Sequence, residues 1–266
     1  MKINAVSACW SSYSYQESIA RISEGTIEPL FGQLGCEHVQ LCPQHANFLS
    51  LDVINELMSL YPHIQFRLHS DVRLINKRGY TIDLIDFSND TLWYFQTLAE
   101  FSKAMNAPLY SLHAGIRGEH SLNELFDKAK ALQEVFDCPV AVEGHYPFKG
   151  SHYFIDSWKE YQQLYLSDLP YALDLSHLNI VAFREGWDYD LTKEMLASSN
   201  CKEIHLSFNE GRMDSHLVSQ DMHSDQWTIW KEMIESSGSK ATIFSEGNQV
   251  LQLRKQAVLE SKKQAF

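Results

Sequence analysis

Eight short apolar runs, separated by longer amphipathic stretches, are the feature that most restricts the fold of this 266-residue chain. The runs are INAVSAC, HVQLC, QFRLH, LYSLH, PVAVE, YALDL, EIHLS and ATIFSE. Each is short, apolar and bounded by polar or turn residues, which is typical of buried strands. Stretches such as TLWYFQTLAEFSKAMN and SLNELFDKAKALQEVF have apolar residues every three or four positions, which predicts amphipathic helices. Eight such alternations predict an α/β fold, a single (β/α)8 TIM barrel that occupies residues 1–266 as one domain.

Histidine and carboxylate residues stand at the ends of six consecutive predicted strands, from the third to the eighth. Asp214 and His216 belong to the loop after the seventh strand, and His177 follows the sixth strand end by three residues. The C-terminal ends of barrel strands meet at one face, where active sites are assembled. We therefore expect a shared cavity at that face, formed by His69, His113, Glu143, Asp174, His177, His205, Asp214, His216 and Glu246.

These nine residues predict a multinuclear metal site. A single histidine at a strand end is more often a hydrogen-bonded barrel residue, and a buried carboxylate can instead pair with an arginine. Five imidazoles and four carboxylates at one rim, however, would repel one another or remain unpaired without compensating cations. Nine donors suit two or three ions better than one, with Glu143 as the natural bridge. Nitrogen and oxygen donors suit iron, manganese or zinc, so the spacing leaves the metal open.

Charge and composition restrict the partners and the location. The formal net charge of −12 opposes attraction to polyphosphate, which disfavours a nucleic-acid partner. The N-terminus turns polar after a few apolar residues, and no run approaches the roughly 18 apolar residues that span a bilayer. The sequence therefore predicts a cytoplasmic protein without a membrane association. The five cysteines, an odd number without C-x-x-C spacing, predict free thiols.

The order of ligand types resembles the trinuclear site of the xylose-isomerase-like TIM barrels typified by endonuclease IV. Within that superfamily, three stretches resemble the multinuclear iron-dependent oxidases that modify cysteines in ribosomal peptides, and most of all the members that act in methanobactin biosynthesis. These stretches are FRLHSDVRLIN, YALDLSHLNIVAFREGWDYD and EIHLSFNEGRMDSH. Endonuclease IV sequences read ENTAG where this chain has VEGHYP, and they space their motifs differently, which argues against a DNA-repair role.

The resemblance implies two or three iron ions, Fe2+ or Fe3+, that use dioxygen to oxidise a cysteine of a ribosomal precursor peptide. The product would be an oxazolone with an adjacent thioamide, and a small partner protein would present the precursor in a heterodimer. Carried over position by position, the ligand sets would be His69, His113 and Glu143 for the first ion, Glu143, Asp174, His205 and Glu246 for the second, and His177, Asp214 and His216 for the third. Asn209 would be a further ligand or an orienting residue, with a loop-shaping role left open. The alternative is an endonuclease IV-like metal-dependent phosphoesterase or a sugar isomerase on the same barrel, with zinc or manganese.

Overall fold

A closed, all-parallel barrel of eight strands forms the centre of the computed structural model, which describes residues 1–74, 81–150, 152–218 and 224–253. The strands are β1 (Ile3–Val6), β2 (Ile27–Glu28), β3 (Gly32–Gln33), β4 (Gly35–Leu41), β5 (Gln65–His69), β6 (Tyr110–His113), β7 (Val140–Glu143), β8 (Tyr171–Asp174), β9 (Cys201–Leu206) and β10 (Thr242–Ser245). Strands β2 and β3 form a small antiparallel pair, and the other eight close the barrel through pairs of β1 with β10 and β4. The predicted barrel is confirmed, and each predicted strand overlaps one barrel strand.

Helices connect successive barrel strands and lie on the outside of the barrel. They are α1 (Tyr15–Gly25), α2 (Leu51–Leu60), α3 (Leu92–Ala104), α4 (Leu122–Gln133), α5 (Trp158–Leu166), α6 (Leu175–Glu185), α7 (Tyr189–Ala197) and α8 (Ser224–Ser237). The two predicted helices quoted above correspond to α3 and α4. Helices α1 and α4 begin at serines whose S-x-x-E spacing forms reciprocal capping boxes, so the sequence itself fixes where they start.

The strands are buried on both faces, because the helices cover the outside and side chains fill the inside. Every residue of β1, β7 and β8 is buried. On the outside, α8 buries Trp230 to 1% exposure. Burial of large aromatic and aliphatic side chains between helix and sheet supplies the main driving force for this fold.

Strand register sets the height of the ligand residues in the barrel mouth. His113 on β6 is the register partner of Glu143 on β7, and Asp174 on β8 is the partner of His205 on β9. Neighbouring strands are about 4.8 Å apart, so register partners hold their side chains within reach of a common ion. The strands alone therefore bring these four ligand residues close together, without any contribution from a loop.

The five cysteines are free thiols, as predicted, and Cys9, Cys42 and Cys201 are buried. Among the described residues, no helix is both long and apolar enough to cross a bilayer. A cytoplasmic location stays a prediction.

Candidate metal centre

The structure brings all nine predicted ligand residues into one cluster at the C-terminal face of the barrel. Six of them are buried, namely His69, Glu143, Asp174, His177, His205 and Glu246. His113 and Asp214 are partly buried, and the side chain of His216 is 42% exposed at the rim. Strands and loops more than 170 residues apart thus contribute to one cluster, which is the convergence expected at this face of a barrel.

Glu143 is the centre of the cluster. Four imidazole nitrogens lie near its carboxylate, two on each oxygen: His205 Nδ1 at 3.1 Å and His69 Nε2 at 3.7 Å from Oε2, and His113 Nε2 at 3.6 Å and His177 Nδ1 at 3.7 Å from Oε1. Neither oxygen has a hydrogen-bond partner, although the residue is fully buried. A buried carboxylate without a partner is costly, and a cation on each oxygen would remove that cost. This geometry is what a carboxylate that bridges two ions requires.

A contact at Nδ1 holds each of three histidine rings in place and leaves the other ring nitrogen, Nε2, facing the cavity. His69 Nδ1 lies 3.0 Å from the Ser111 hydroxyl, and His113 Nδ1 lies 3.1 Å from the hydroxyl of Ser70. His177 Nδ1 lies 2.8 Å from the carbonyl oxygen of Gly144. Because a carbonyl only accepts, His177 carries a hydrogen on Nδ1, and Nε2 is the nitrogen available to a metal ion. Metal-binding histidines are oriented by contacts of this kind.

Asp174 divides its carboxylate between the fold and the cavity. Its Oδ1 accepts hydrogen bonds from the backbone N–H of Ser176 at 2.6 Å and of His177 at 3.3 Å, and so caps the start of α6. Its Oδ2 is buried, has no hydrogen-bond partner and lies 3.3 Å from His177 Nε2. Asp174 Oδ2 and His177 Nε2 therefore lie side by side, where one metal ion could bind both.

Asp214, His216 and Glu246 form the rim of the cluster. Asp214 Oδ2 lies 2.6 Å from His216 Nε2 and 3.6 Å from His177 Nε2. His216 Nδ1 lies 3.5 Å from Glu246 Oε2, and Glu246 Oε1 lies 3.4 Å from His205 Nδ1. The loop after β9 thus contacts His177 at the start of α6 and Glu246 just after β10, and it completes a ring of donors.

Electrostatic interactions within the cluster couple its imidazoles to its carboxylates. Burial alone would lower the pKa of His113 and His177, yet the carboxylates beside them outweigh burial and raise these pKa values to about 9 and about 10. For His69 burial dominates, and its pKa falls to about 3. Burial likewise raises the pKa of Glu246 to about 7. Protons on the imidazoles therefore pair with the carboxylates, and divalent metal ions, which suit the same nitrogen and oxygen donors, would compete with those protons.

Three groups of donor atoms, each with its members within 4.8 Å of one another, are compact enough to hold an ion: His69, His113 and Glu143; His69, His205 and Glu246; and Glu143, Asp174 and His177. The first group has the members expected for the first ion. The other two share residues with the expected second and third sets but differ from them, because His216 pairs directly with Asp214 and His69 lies close to Glu246. Which ion each residue ligates stays a prediction.

Asn209 has a structural role in the loop after β9. Its Oδ1 accepts hydrogen bonds from Asn179 Nδ2 at 2.9 Å and from the backbone N–H of Gly211 at 2.8 Å, while its Nδ2 donates to the carbonyl oxygen of Ser176 at 2.8 Å. Both ends of the amide are therefore engaged. These contacts favour the loop-shaping role over direct ligation, and the bond to Ser176 also places the residue behind His177.

A cavity of about 250 Å3 opens above the cluster, lined by His69, His113, His177, Asp214, His216 and Glu246 together with His145, Tyr146, Tyr153 and Ser215. His145 is 8% exposed, stacks on Tyr153 at 4.3 Å between ring centroids, and has a buried Nε2 without a hydrogen-bond partner. The sequence places His145 near the cavity but gives no reason to select it. Sequence reasoning did not select Arg67 on β5 or Glu203 on β9. Each stands two residues before a predicted ligand, His69 or His205, and the period of two along a strand places it on the same face as that ligand.

Comparison with known proteins supports the fold. No family model matches the chain. UPF0276 proteins from two strains of Vibrio vulnificus, YJ016 and CMCP6, are each 24% identical to it over 121 residues. That match covers 42% of this chain and 42% of each relative, so it spans less than half of the relatives' length.

Solved structures match over nearly the whole chain. A D-tagatose 3-epimerase-like protein has a TM-score of 0.67 at 16% identity, over 100% of this chain and 98% of its own. A xylose isomerase domain protein of Alicyclobacillus acidocaldarius has a TM-score of 0.64 at 10% identity, over 94% and 90% of the two chains. A family 2 AP endonuclease of Brucella melitensis has a TM-score of 0.61 at 14% identity, over 93% of each chain. The protein is a TIM barrel whose fold is similar to that of these structures, with buried histidine and carboxylate clusters that could hold metal ions.

Proposed function

We propose that this protein is a metal-dependent enzyme with a multinuclear centre in the barrel mouth. The observation that carries the proposal is the set of buried ligand atoms without hydrogen-bond partners. They are both oxygens of Glu143, Asp174 Oδ2, His205 Nδ1 and Asp214 Oδ1. Unpaired buried polar atoms are rare in folded proteins and call for an explanation. Two or three metal ions among them supply that explanation, because a single ion would leave several of these atoms without a partner.

We infer further that the reaction is the dioxygen-dependent oxidation of a cysteine in a ribosomal precursor peptide, giving a methanobactin-type oxazolone and thioamide. Iron, Fe2+ or Fe3+, would supply the redox chemistry, with dioxygen as the electron acceptor. The sequence resemblance supports this choice, and the cavity of about 250 Å3 above the cluster gives one residue of a peptide room to reach the ligands.

The residues around the cluster would bind and orient such a peptide. His145 and Tyr153 form a stacked wall beside His113, and Tyr146 lies 4.8 Å from His177 between ring centroids. Flat aromatic walls leave a narrow slot and present few rotatable groups, so they would fix a cysteine side chain at low entropic cost. The exposed His216 marks the side from which the peptide would enter.

We propose that a small partner protein presents the precursor peptide, in a heterodimer with this chain. The cavity can hold one residue, whereas recognition of a long flexible peptide needs an extended surface as well. A partner that holds the peptide in advance would reduce the ordering cost of binding. Co-purification of the chain with the product of a neighbouring small gene tests the complex, and a monomeric chain that oxidises the free peptide at the same rate contradicts it.

The direct test is reconstitution. The chain, freed of metal by chelation, is loaded anaerobically with ferrous iron and mixed with the partner and a cysteine-containing precursor peptide. On exposure to air we expect dioxygen consumption and a peptide mass lowered by the loss of hydrogens. A peptide with serine in place of cysteine is the control and should remain unchanged. Failure of the intact complex to alter any peptide thiol would remove the oxidase proposal.

A second candidate is a sugar epimerase or isomerase, or an endonuclease IV-like phosphoesterase, with zinc or manganese. It is favoured by the fold, because the similar structures include a D-tagatose 3-epimerase-like protein and an AP endonuclease. Assays of the zinc-loaded and manganese-loaded protein with ketohexoses and with abasic-site DNA separate this candidate from the oxidase. Turnover of either substrate with peptide thiols untouched would establish it.

A further inference from the structure

A buried layer of charged and polar side chains lies inside the barrel beneath the metal-ligand cluster. Arg67 and Glu203 are 3% and 0% exposed, in a position that apolar side chains fill in most TIM barrels. Arg67 Nη1 donates a hydrogen bond to Glu203 Oε1 at 2.9 Å. Gln40 Nε2 donates to the other carboxylate oxygen, Oε2, at 2.8 Å. A buried ion pair of this kind is weak evidence for stability, so its presence calls for another role.

That layer contacts the cluster at the ring of His205. Glu203 and His205 are two residues apart on β9 and so share the inner face of the barrel. His205 Nε2 lies 3.4 Å from Glu203 Oε2, and 3.1 Å from Gln40 Nε2. The other ring nitrogen, Nδ1, points to the carboxylates of Glu143 and Glu246.

The carboxylate of Glu203 decides which nitrogen of His205 carries a hydrogen toward it. A carboxylate oxygen only accepts, so the contact of 3.4 Å between His205 Nε2 and Glu203 Oε2 requires a hydrogen on Nε2. Nδ1, which lies on the side of Glu143 and Glu246, is then the nitrogen available to a metal ion.

We propose that Glu203, held by Arg67, is a positioning residue that fixes the tautomer and orientation of His205 so that Nδ1 binds metal. The inference rests on the proposed metal centre but not on the identity of the reaction. Outer carboxylates of this kind orient a ligand histidine and make it a better donor. Arg67 holds the Glu203 carboxylate through the hydrogen bond from Nη1 to Oε1 at 2.9 Å, which leaves Oε2 for Gln40 and His205.

The test measures zinc binding and the ring tautomer in the zinc-loaded protein. In the wild type, long-range proton–nitrogen correlation of labelled histidine should show His205 with a zinc-bound Nδ1 and a protonated Nε2. The His205→Gln variant assigns the signal by its loss. In Glu203→Gln, we expect this signal to shift or split and zinc affinity, measured by chelator competition, to fall about 10- to 100-fold for one ion.

A double variant separates positioning from simple destabilisation. Glu203→Gln leaves Arg67 buried without a counter-charge, which could disturb the site on its own. Arg67→Met/Glu203→Gln removes that unpaired charge while His205 still lacks its carboxylate. If Glu203 positions His205, the double variant keeps the weakened zinc affinity and the altered tautomer. Wild-type affinity and tautomer in the double variant would overturn the proposal.

The matched control is Asp137→Asn, which removes one carboxylate charge from an exposed ion pair, Lys103 Nζ to Asp137 Oδ2 at 2.9 Å, whose residues do not line the cavity. It should leave zinc affinity and the His205 signal unchanged. The outcomes distinguish this inference from the proposed function. Unaltered zinc binding in Glu203→Gln defeats the positioning role alone, whereas a wild-type protein that binds zinc with the expected tautomer but oxidises no peptide defeats the oxidase alone. A wild-type protein that binds no metal defeats both.

Discussion

Replacement of Glu143 by glutamine should remove more than one metal ion per chain. The substitution keeps the shape of the side chain but removes the charge that faces four imidazoles from both oxygens, at 3.1 to 3.7 Å. Because two ions would share this carboxylate, its loss weakens two positions at once. A variant of a ligand that serves only one ion would lose only that ion.

Thermal unfolding gives the expected magnitude. An ion at a concentration of 100 times its dissociation constant stabilises the folded protein by about 2.7 kcal/mol. The unfolding entropy of a 266-residue chain, at about 2.1 cal/mol/K per residue, is about 0.56 kcal/mol/K, so each ion raises Tm by about 5 °C. The metal-induced shift in Tm should therefore be about 10 °C smaller in Glu143→Gln than in the wild type.

The assay compares chelated and reloaded protein by circular dichroism, with metal content from elemental analysis. Each variant is compared with its own chelated form, so a change in intrinsic stability does not enter the result. Glu134→Gln removes the same charge at the exposed end of α4 and should retain the whole shift. Loss of a single ion from Glu143→Gln, with the remaining shift intact, would refute the bridging role.

Three further outcomes are expected. Asp214→Asn should remove one ion and about 5 °C of the metal-induced shift while the far-ultraviolet spectrum stays unchanged, since Asp214 lies in a loop outside the barrel; a collapsed spectrum would show a structural role instead. Gly144→Ala should lower the free energy of unfolding, measured in urea, by about 1–3 kcal/mol, because the added Cβ would lie 2.6 Å from Tyr161 Cε1. It should also disturb the position of His177, which contacts the Gly144 carbonyl oxygen. Unchanged stability would mean that the Tyr161 ring moves aside freely. Asn209→Ala should lower stability by about 1–3 kcal/mol with the metal content unchanged, and loss of an ion would make Asn209 a ligand.

Most of the barrel could be predicted because its strands are short runs buried on both faces, and such runs remain visible in the sequence without any knowledge of their partners. The small β2 and β3 pair could not be predicted, since two-residue strands such as Gly32–Gln33 carry no periodicity. The convergence of ligands followed from a single rule, that parallel strands of a barrel end at the same face.

The finer arrangement of the site depends on contacts between distant residues and leaves little trace in the sequence. The hydrogen on His177 Nδ1 is fixed by the carbonyl of Gly144, 33 residues away. In the polar layer beneath His205, Gln40 donates a hydrogen bond to Glu203, 163 residues away. Strand alternation could have placed Glu203 on the same face as His205. It could not have shown that Arg67 pairs with it, because register between strands on opposite sides of the barrel is set only by closure.

A buried histidine outside the cluster provides a test of the fold by pH. His45 is 0% exposed, and its Nδ1 lies 3.2 Å from the carbonyl oxygen of Tyr13, which can only accept, so Nδ1 carries the hydrogen. Its Nε2 then accepts from the Ser7 hydroxyl at 2.7 Å and has no room for a second proton. Burial lowers the pKa of His45 from 6.5 to about 4, with the charge of Arg73 acting in the same direction.

Because the folded-state pKa of His45 lies below its unfolded value, the unfolded chain takes up the proton first as the pH falls. The full stability is present above pH 6.5, and about 3 kcal/mol is lost between pH 6.5 and pH 4. In urea unfolding of the chelated protein, the wild type should therefore lose stability between pH 7 and pH 5 faster than His45→Gln, which cannot titrate there. Parallel pH profiles for the two proteins would mean that His45 is already protonated in the folded state and that its contact with Ser7 is donated by the ring.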